Sequence, residues 1–273
     1  MKTAIFRSPP TQSRLQKLAG WASPRFIWGM GAVITFLATW ETVSTLKIMD
    51  PRYISKPSQV VQTGFKMLSN STFYHHLYIS MLELIIGFSL AVLLGLLMGL
   101  LMGRSQIIRG LFDPLVMALY ATPRVALMPL FVIWFGVGIW SKVFVVFVGA
   151  IFPILVNTMT GIRQVEPLLL RAGRSYGASE WQLFTKILLP GSLPAMITGL
   201  RLGWGRGIIG VIIGEIYVSS AGLGHLLNRA GNALRTDDMF FLVVVVAGIG
   251  YLATSGFSLM ERKLTPWKEE KGA

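Results

Sequence analysis

Apolar residues in this chain come in long blocks rather than in alternating or one-faced patterns. Six blocks stand out, at roughly residues 26–47, 77–103, 111–136, 143–161, 194–218 and 238–260. Each is near or above the ~18 residues that a helix needs to cross the hydrocarbon of a bilayer. The pattern predicts an all-α integral membrane protein with six transmembrane helices. The third block is the least regular: "FDPLVMALYATPRVALMPLFVIWF" carries Pro114, Pro123, Pro129 and Arg124. Cut at Pro123, it leaves two pieces of about 12 residues, each too short to cross alone, so one kinked helix is expected.

Composition agrees. Of 273 residues, 53% are hydrophobic and only 14% charged, where a soluble domain has about 25% charged residues. Mean hydropathy is +0.62. The first apolar run begins near Phe26, behind a polar stretch with Pro9, Pro10 and five basic residues. That lead is long for a signal peptide, so the run reads as a first membrane helix. Cysteine is absent, which removes disulfides, thiolate metal sites and thiol nucleophiles.

The net charge of +13 would suggest nucleic acid for a soluble protein, but here it orients the chain and no nucleic-acid partner is expected. With the N-terminus inside, the inner segments hold fifteen Lys and Arg and the outer ones six, Lys142 among the latter. Positive charge favours the cytoplasmic side, so both termini are expected there. The expected organisation is a cytoplasmic segment 1–25, one membrane domain 26–260 and a cytoplasmic tail 261–273.

Small residues recur every four positions in the second span, at Gly87, Ala91, Gly95, Gly99 and Gly103. They predict a smooth stripe where another helix packs closely. The longest inner loop, about 162–193, is structured. "VEPLLLRAGRSY" has helical spacing, Gly177 suits a left-handed helix end, and Ser179 with Gln182 forms a capping-box pattern. "EWQLFTKILL" then reads as a second short helix ending at Pro190. On spacing alone this pair is either a protein joint or a hairpin lying on lipid.

Gly177, nine further residues and Ile187-Leu188-Leu189-Pro190 resemble the core of the EAA loop of permease subunits in ATP-binding-cassette importers. "KPSQVV" from Lys56, "GFSLAVLLGLLMGLLMG" from Gly87, "PLFVIWFGVG" from Pro129, "GIRQVEPLL" from Gly161, "WQLFTKILLPGSLPAMITGLRLGWG" from Trp181 and "SSAGLGHLL" from Ser219 extend the resemblance over about residues 25–267. They are similar to the subfamily that imports nitrate, sulfonates, taurine and related solutes across the bacterial inner membrane. The resemblance implies the type I importer fold, a second permease copy, two cytoplasmic ATPase subunits and an external solute-binding protein. It implies no cofactor in this chain, with ATP and Mg on the ATPase. The implied coupling residues are Arg171, Ala172, Gly173, the pivot Gly177, Trp181, Phe184, Ile187, Leu189 and Pro190, the second short helix being the knob that enters the ATPase. Two departures stand out. Arg171-Ala172-Gly173 replaces Glu-Ala-Ala, and Glu83 stands where a basic residue is expected.

Charges within spans mark a cavity or a partner. Glu41, Glu83, Arg124, Arg201, Arg206 and Glu215 qualify. Arg124, Arg206 and Glu215 are candidates for a solute pathway; the two arginines either supply positive field to an anion or pair with a carboxylate or carbonyl to hold helices together. Arg201 is expected to pair with a carboxylate or carbonyl, and Glu215 with an arginine. His75 and His76 are neighbours that point different ways on a helix, so they read as interfacial. The chain contains no G-x-x-x-x-G-K-[ST] phosphate loop, so ATP hydrolysis is expected on a separate subunit and no enzyme activity here. The alternative reading is a proton-coupled transporter using Glu83 and Glu215.

Overall fold

The computed structural model describes residues 24–50 and 52–266. The expected cytoplasmic segment up to residue 23 and the tail beyond residue 266 lie outside the described residues. Eleven α-helices follow in order: α1 Pro24–Thr45, α2 Pro57–Leu68, α3 Ser71–Arg104, α4 Gln106–Ala121, α5 Met128–Phe135, α6 Ile139–Arg163, α7 Pro167–Ser175, α8 Glu180–Leu183, α9 Leu189–Val218, α10 Leu223–Asn232 and α11 Thr236–Leu264. No strand occurs among the described residues. Among the described residues four helical stretches are long and apolar enough to cross a membrane: Ser71–Arg104, Ile139–Arg163, Glu180–Val218 and Thr236–Leu264.

Helix α6 is the centre, packed between α3 and α9. The predicted stripe on α3 is its contact face. Gly87 lies against the Val143 carbonyl and Val146, Gly95 against Ile154, Gly99 against Thr158 and Gly103 against Ile162. Ala91 is fully buried between them. Helix α9 does the same from the other side: a methyl at Gly203 would meet Ile154 and the Ala150 carbonyl. Close backbone approach along two small-residue stripes lets dispersion hold helices that lipid would solvate equally well. Leu84, Val146 and Val211, each 2% exposed or less, fill the junction of the three helices.

The third expected span is not one kinked helix. Helix α4 ends at Ala121, a 3-10 turn covers Arg124–Leu127, and α5 stops at Gly136, whose φ is +75°. The cause is Pro123: a residue preceding proline is pushed out of the α region, and Thr122 sits at φ −68°, ψ 133°. The six membrane helices expected from hydropathy, the third of them kinked, are therefore not all present as single helices.

The second correction is at Pro190, which does not end a separate short helix. Helix α8 runs on through a π-turn, Phe184–Leu188, into α9. The Leu189 N–H donates to the Phe184 carbonyl, five residues back. Proline has no N–H for the usual bond and crowds the preceding turn; the wider turn absorbs both defects without breaking the helix.

Two short helices not anticipated from hydropathy, α2 and α10, pack beside α11. Thr63 of α2 donates to Asp237 at 2.7 Å, and Ser55 pairs with Thr236 at 2.6 Å. Glu41 of α1 accepts from the Ser58 backbone N–H at 3.0 Å and its hydroxyl at 2.8 Å. This carboxylate sits at the amide-rich start of α2, where an anion is favoured.

Candidate functional site

Three features carry the expected chemistry: the hairpin between α6 and α9, a cleft beside α9, and a buried polar knot.

The hairpin is built as the spacing predicted. Gly177 takes φ +78°. The Ala178 N–H donates to the Gly173 carbonyl at 3.0 Å and the Gly177 N–H to Arg174 at 2.9 Å, the paired bonds of a Schellman helix end. Ser179 then caps α8: its hydroxyl accepts from the Gln182 N–H at 3.2 Å, while the Gln182 side chain accepts from the Ser179 N–H at 2.8 Å. Arg174 and Glu180 pair across the turn at 3.2 Å. Gly173 has a local reason. A methyl there would lie 2.6 Å from a Leu183 methyl and 3.0 Å from Ile187, so the departure from alanine lets the two helices close on each other.

The nine expected coupling residues divide. Arg171, Ala172, Gly177 and Trp181 are exposed, Trp181 at 68%. Gly173, Phe184, Ile187, Leu189 and Pro190 are half-buried. Phe184 lies 5.5 Å from the Arg104 guanidinium at the end of α3, a cation–π contact tying the hairpin to that helix. Tyr176, 92% exposed at the turn, presents the second outward aromatic ring.

The cleft has a volume of about 390 Å³ and lies where the broken third segment meets α6 and α9. Tyr120, Thr122, Pro123, Gly149, Arg206 and Ile213 line it. Arg206 is exposed there and makes no ion pair among the described residues. Arg124 opens the 3-10 turn immediately after Pro123; its side chain lies outside the described residues. Arg201, five residues before Arg206, instead reaches Glu261 of α11 at 2.8 Å, the carboxylate pairing its sequence context suggested.

Glu215 lies elsewhere. It is fully buried and is not among the residues lining the cleft. Against expectation it has no arginine partner among the described residues: its carboxylate accepts from Ser80 at 2.5 Å and from the Gly224 N–H at 2.6 Å. The Gly222 N–H donates to His76 Nδ1 at 2.9 Å and the Leu223 N–H to Ser80 at 2.7 Å. Three successive amides at the start of α10 thus find acceptors on α3 and α9, satisfying groups that a helix start leaves open. Lys142 of α6 completes the knot, reaching Glu83 at 2.6 Å and Ser219 at 2.9 Å. Hydropathy placed Lys142 in an outer loop and His76 at the interface; the structure buries both. Glu83 lies within an apolar block and Lys142 directly before another, but nothing in the sequence pairs the two; the contact depends on α3 packing against α6.

Similarity to known proteins agrees with this architecture. Residues 91–266 match the family described as binding-protein-dependent transport system inner membrane component. The chain belongs to that family. The taurine transport system permease protein TauC of Escherichia coli (strain K12) is 33% identical over 246 residues, 88% of this chain and 90% of that one. The putative aliphatic sulfonates transport permease protein SsuC of Bacillus subtilis (strain 168) is 31% identical over 89% of each chain. Among solved structures, the MetNI methionine ABC transporter in inward-facing conformations matches with a TM-score of 0.59 at 19% identity, over 69% of this chain and 94% of that one. At that identity the match speaks for the fold alone. The chain is thus an ABC importer permease of the inner-membrane class.

Proposed function

We infer that this chain is the permease subunit of an ATP-driven importer for a small anionic solute such as a sulfonate, taurine or nitrate. A solute-binding protein delivers the solute from outside. A second copy completes the pathway, and two cytoplasmic ATPase subunits bind the hairpin at about 162–193. The chain lies in a bacterial inner membrane as one domain, 26–260, flanked by cytoplasmic segments 1–25 and 261–273. ATP and Mg belong to the ATPase.

The observation that carries this reading is the continuity of the hairpin with the membrane. Its fixed turn holds Tyr176 and Trp181 outward, and the unbroken helix Glu180–Val218 joins the knob to the pathway. A push on α8 is therefore delivered to α9 without a hinge at Pro190. Helix α9 carries Arg206 in the cleft, where an unpaired guanidinium suits a sulfonate or nitrate by charge and by its planar fork of donors. Names of relatives that carry taurine and aliphatic sulfonates support that solute class. The carboxylates that a proton-coupled mechanism would use, Glu83 and Glu215, are instead bonded within the knot.

Purification of the chain from its native membrane in mild detergent tests the reading. A hydrolysing ATPase should accompany the wild type and be lost with Gly177→Trp. A chain that emerges alone in several detergents contradicts it.

A further inference from the structure

The exposed surface of the hairpin has a sign. Between residues 163 and 186 the charged side chains are Arg163, Glu166, Arg171, Arg174, Glu180 and Lys186, all exposed. Arg174 and Glu180 neutralise each other at 3.2 Å. Three cations then face one anion, a surplus of two positive charges. Near them stand Tyr176, 92% exposed, and Trp181, 68% exposed. Exposed aromatic anchors with arginine beside them are the composition of an interface centre.

We propose that the ATPase groove receiving this hairpin is acidic, presenting carboxylate to Arg171 around an apolar pocket for Tyr176 and Trp181. The proposal rests on the functional reading above and adds the chemistry of the partner. A protein occupant is favoured over lipid headgroups by the build of the hairpin. Leu183 and Ile187 turn inward against Gly173, and Leu183 is 1% exposed. The second helix therefore uses its aliphatic side chains to close the hairpin rather than to lie on lipid, and it continues as one body into α9. Arg171 forms no ion pair within the described residues, so its charge is available to a partner.

The test uses the full-length chain in detergent and the ATPase subunit that co-purifies with it, separated and rebound. Affinity is measured at about 0.05 M and about 0.5 M salt, across which exposed charge pairs are progressively screened. Arg171→Ala should weaken binding roughly 2- to 5-fold, the scale of one solvent-exposed ion pair, and Arg171→Glu roughly 10- to 100-fold, because like charges then face each other. Arg171→Lys should bind more tightly than Arg171→Ala, since it keeps the charge although it loses the planar fork. High salt should narrow the gap between Arg171→Ala and wild type. Equal binding of Arg171→Glu and wild type overturns the proposal. So do equal losses in the Ala and Glu variants without salt dependence, which would mean shape rather than charge. If Arg171→Glu leaves ATPase affinity intact but removes a dependence of transport on anionic lipid in nanodiscs, the basic face reads headgroups and the proposal fails. Absence of any ATPase from wild-type preparations would instead overturn the functional reading, a separate result.

Discussion

Lys142 of α6 holds Glu83 of α3 at 2.6 Å, with the two side chains 6% and 0% exposed. Their charges sit inside two helices long and apolar enough to cross a membrane, where either alone would be costly. Removing one member of a buried pair strands the other, at about 3–5 kcal/mol. Lys142→Met should therefore sharply lower the melting temperature in detergent. The double variant Glu83→Leu/Lys142→Met should recover much of the loss, because hydrophobic replacement of both members is often neutral. A double variant as unstable as the single one would mean that the Lys142 contact to Ser219 matters more.

The turn leading into α10 leaves no room for side chains. Gly222 has φ +113°, and an added methyl would land within the Glu215 carboxyl group. Strained backbone of this kind costs about 1–3 kcal/mol before any clash. Gly222→Ala should lower stability by at least that amount in thermal unfolding, while Gly248→Ala, where a methyl meets open space, should be within about 0.5 kcal/mol of wild type, as for most surface changes.

Gly173 and Gly177 should separate packing from conformation. Gly173→Ala forces Leu183 aside, and trimming with Leu183→Val should restore coupled ATP hydrolysis. At Gly177 the space is open but φ is +78°, so Gly177→Ala should lose about 1 kcal/mol with no rescue from Leu183. Rescue of both by the same trim would refute the distinction.

The two arginines of α9 should behave differently. Arg201→Gln breaks the pair with Glu261 and should cost about 1 kcal/mol, seen as lower thermal stability. Arg206→Gln should leave melting unchanged and lower uptake of an anionic solute. Equal uptake by Arg206→Gln and wild type would remove Arg206 from the pathway.

The sequence made the local chemistry of the hairpin legible. Gly177, Ser179 and Gln182 announced a helix end and a cap because each acts through bonds a few residues away, and the structure forms those bonds. The stripe from Gly87 to Gly103 announced a contact face for the same reason. What escaped depended on distance or on competition. Lys142 could be placed only by knowing that α3 brings Glu83 beside it. The break at Thr122 pitted one proline effect against an apolar block long enough to span. Pro190 reads as a stop because a π-turn, which relieves it, has no marker in hydropathy. A buried acid such as Glu215 invites an arginine, whereas the Ser80 hydroxyl and the Gly224 amide of α10 reach it first.

ATP-driven import is tested by solute uptake into proteoliposomes holding this chain, its ATPase and the binding protein. Uptake should require ATP hydrolysis, survive collapse of the proton gradient, and disappear with Gly177→Trp although the chain still inserts. Uptake that persists without the ATPase and stops when the gradient alone is collapsed would contradict it.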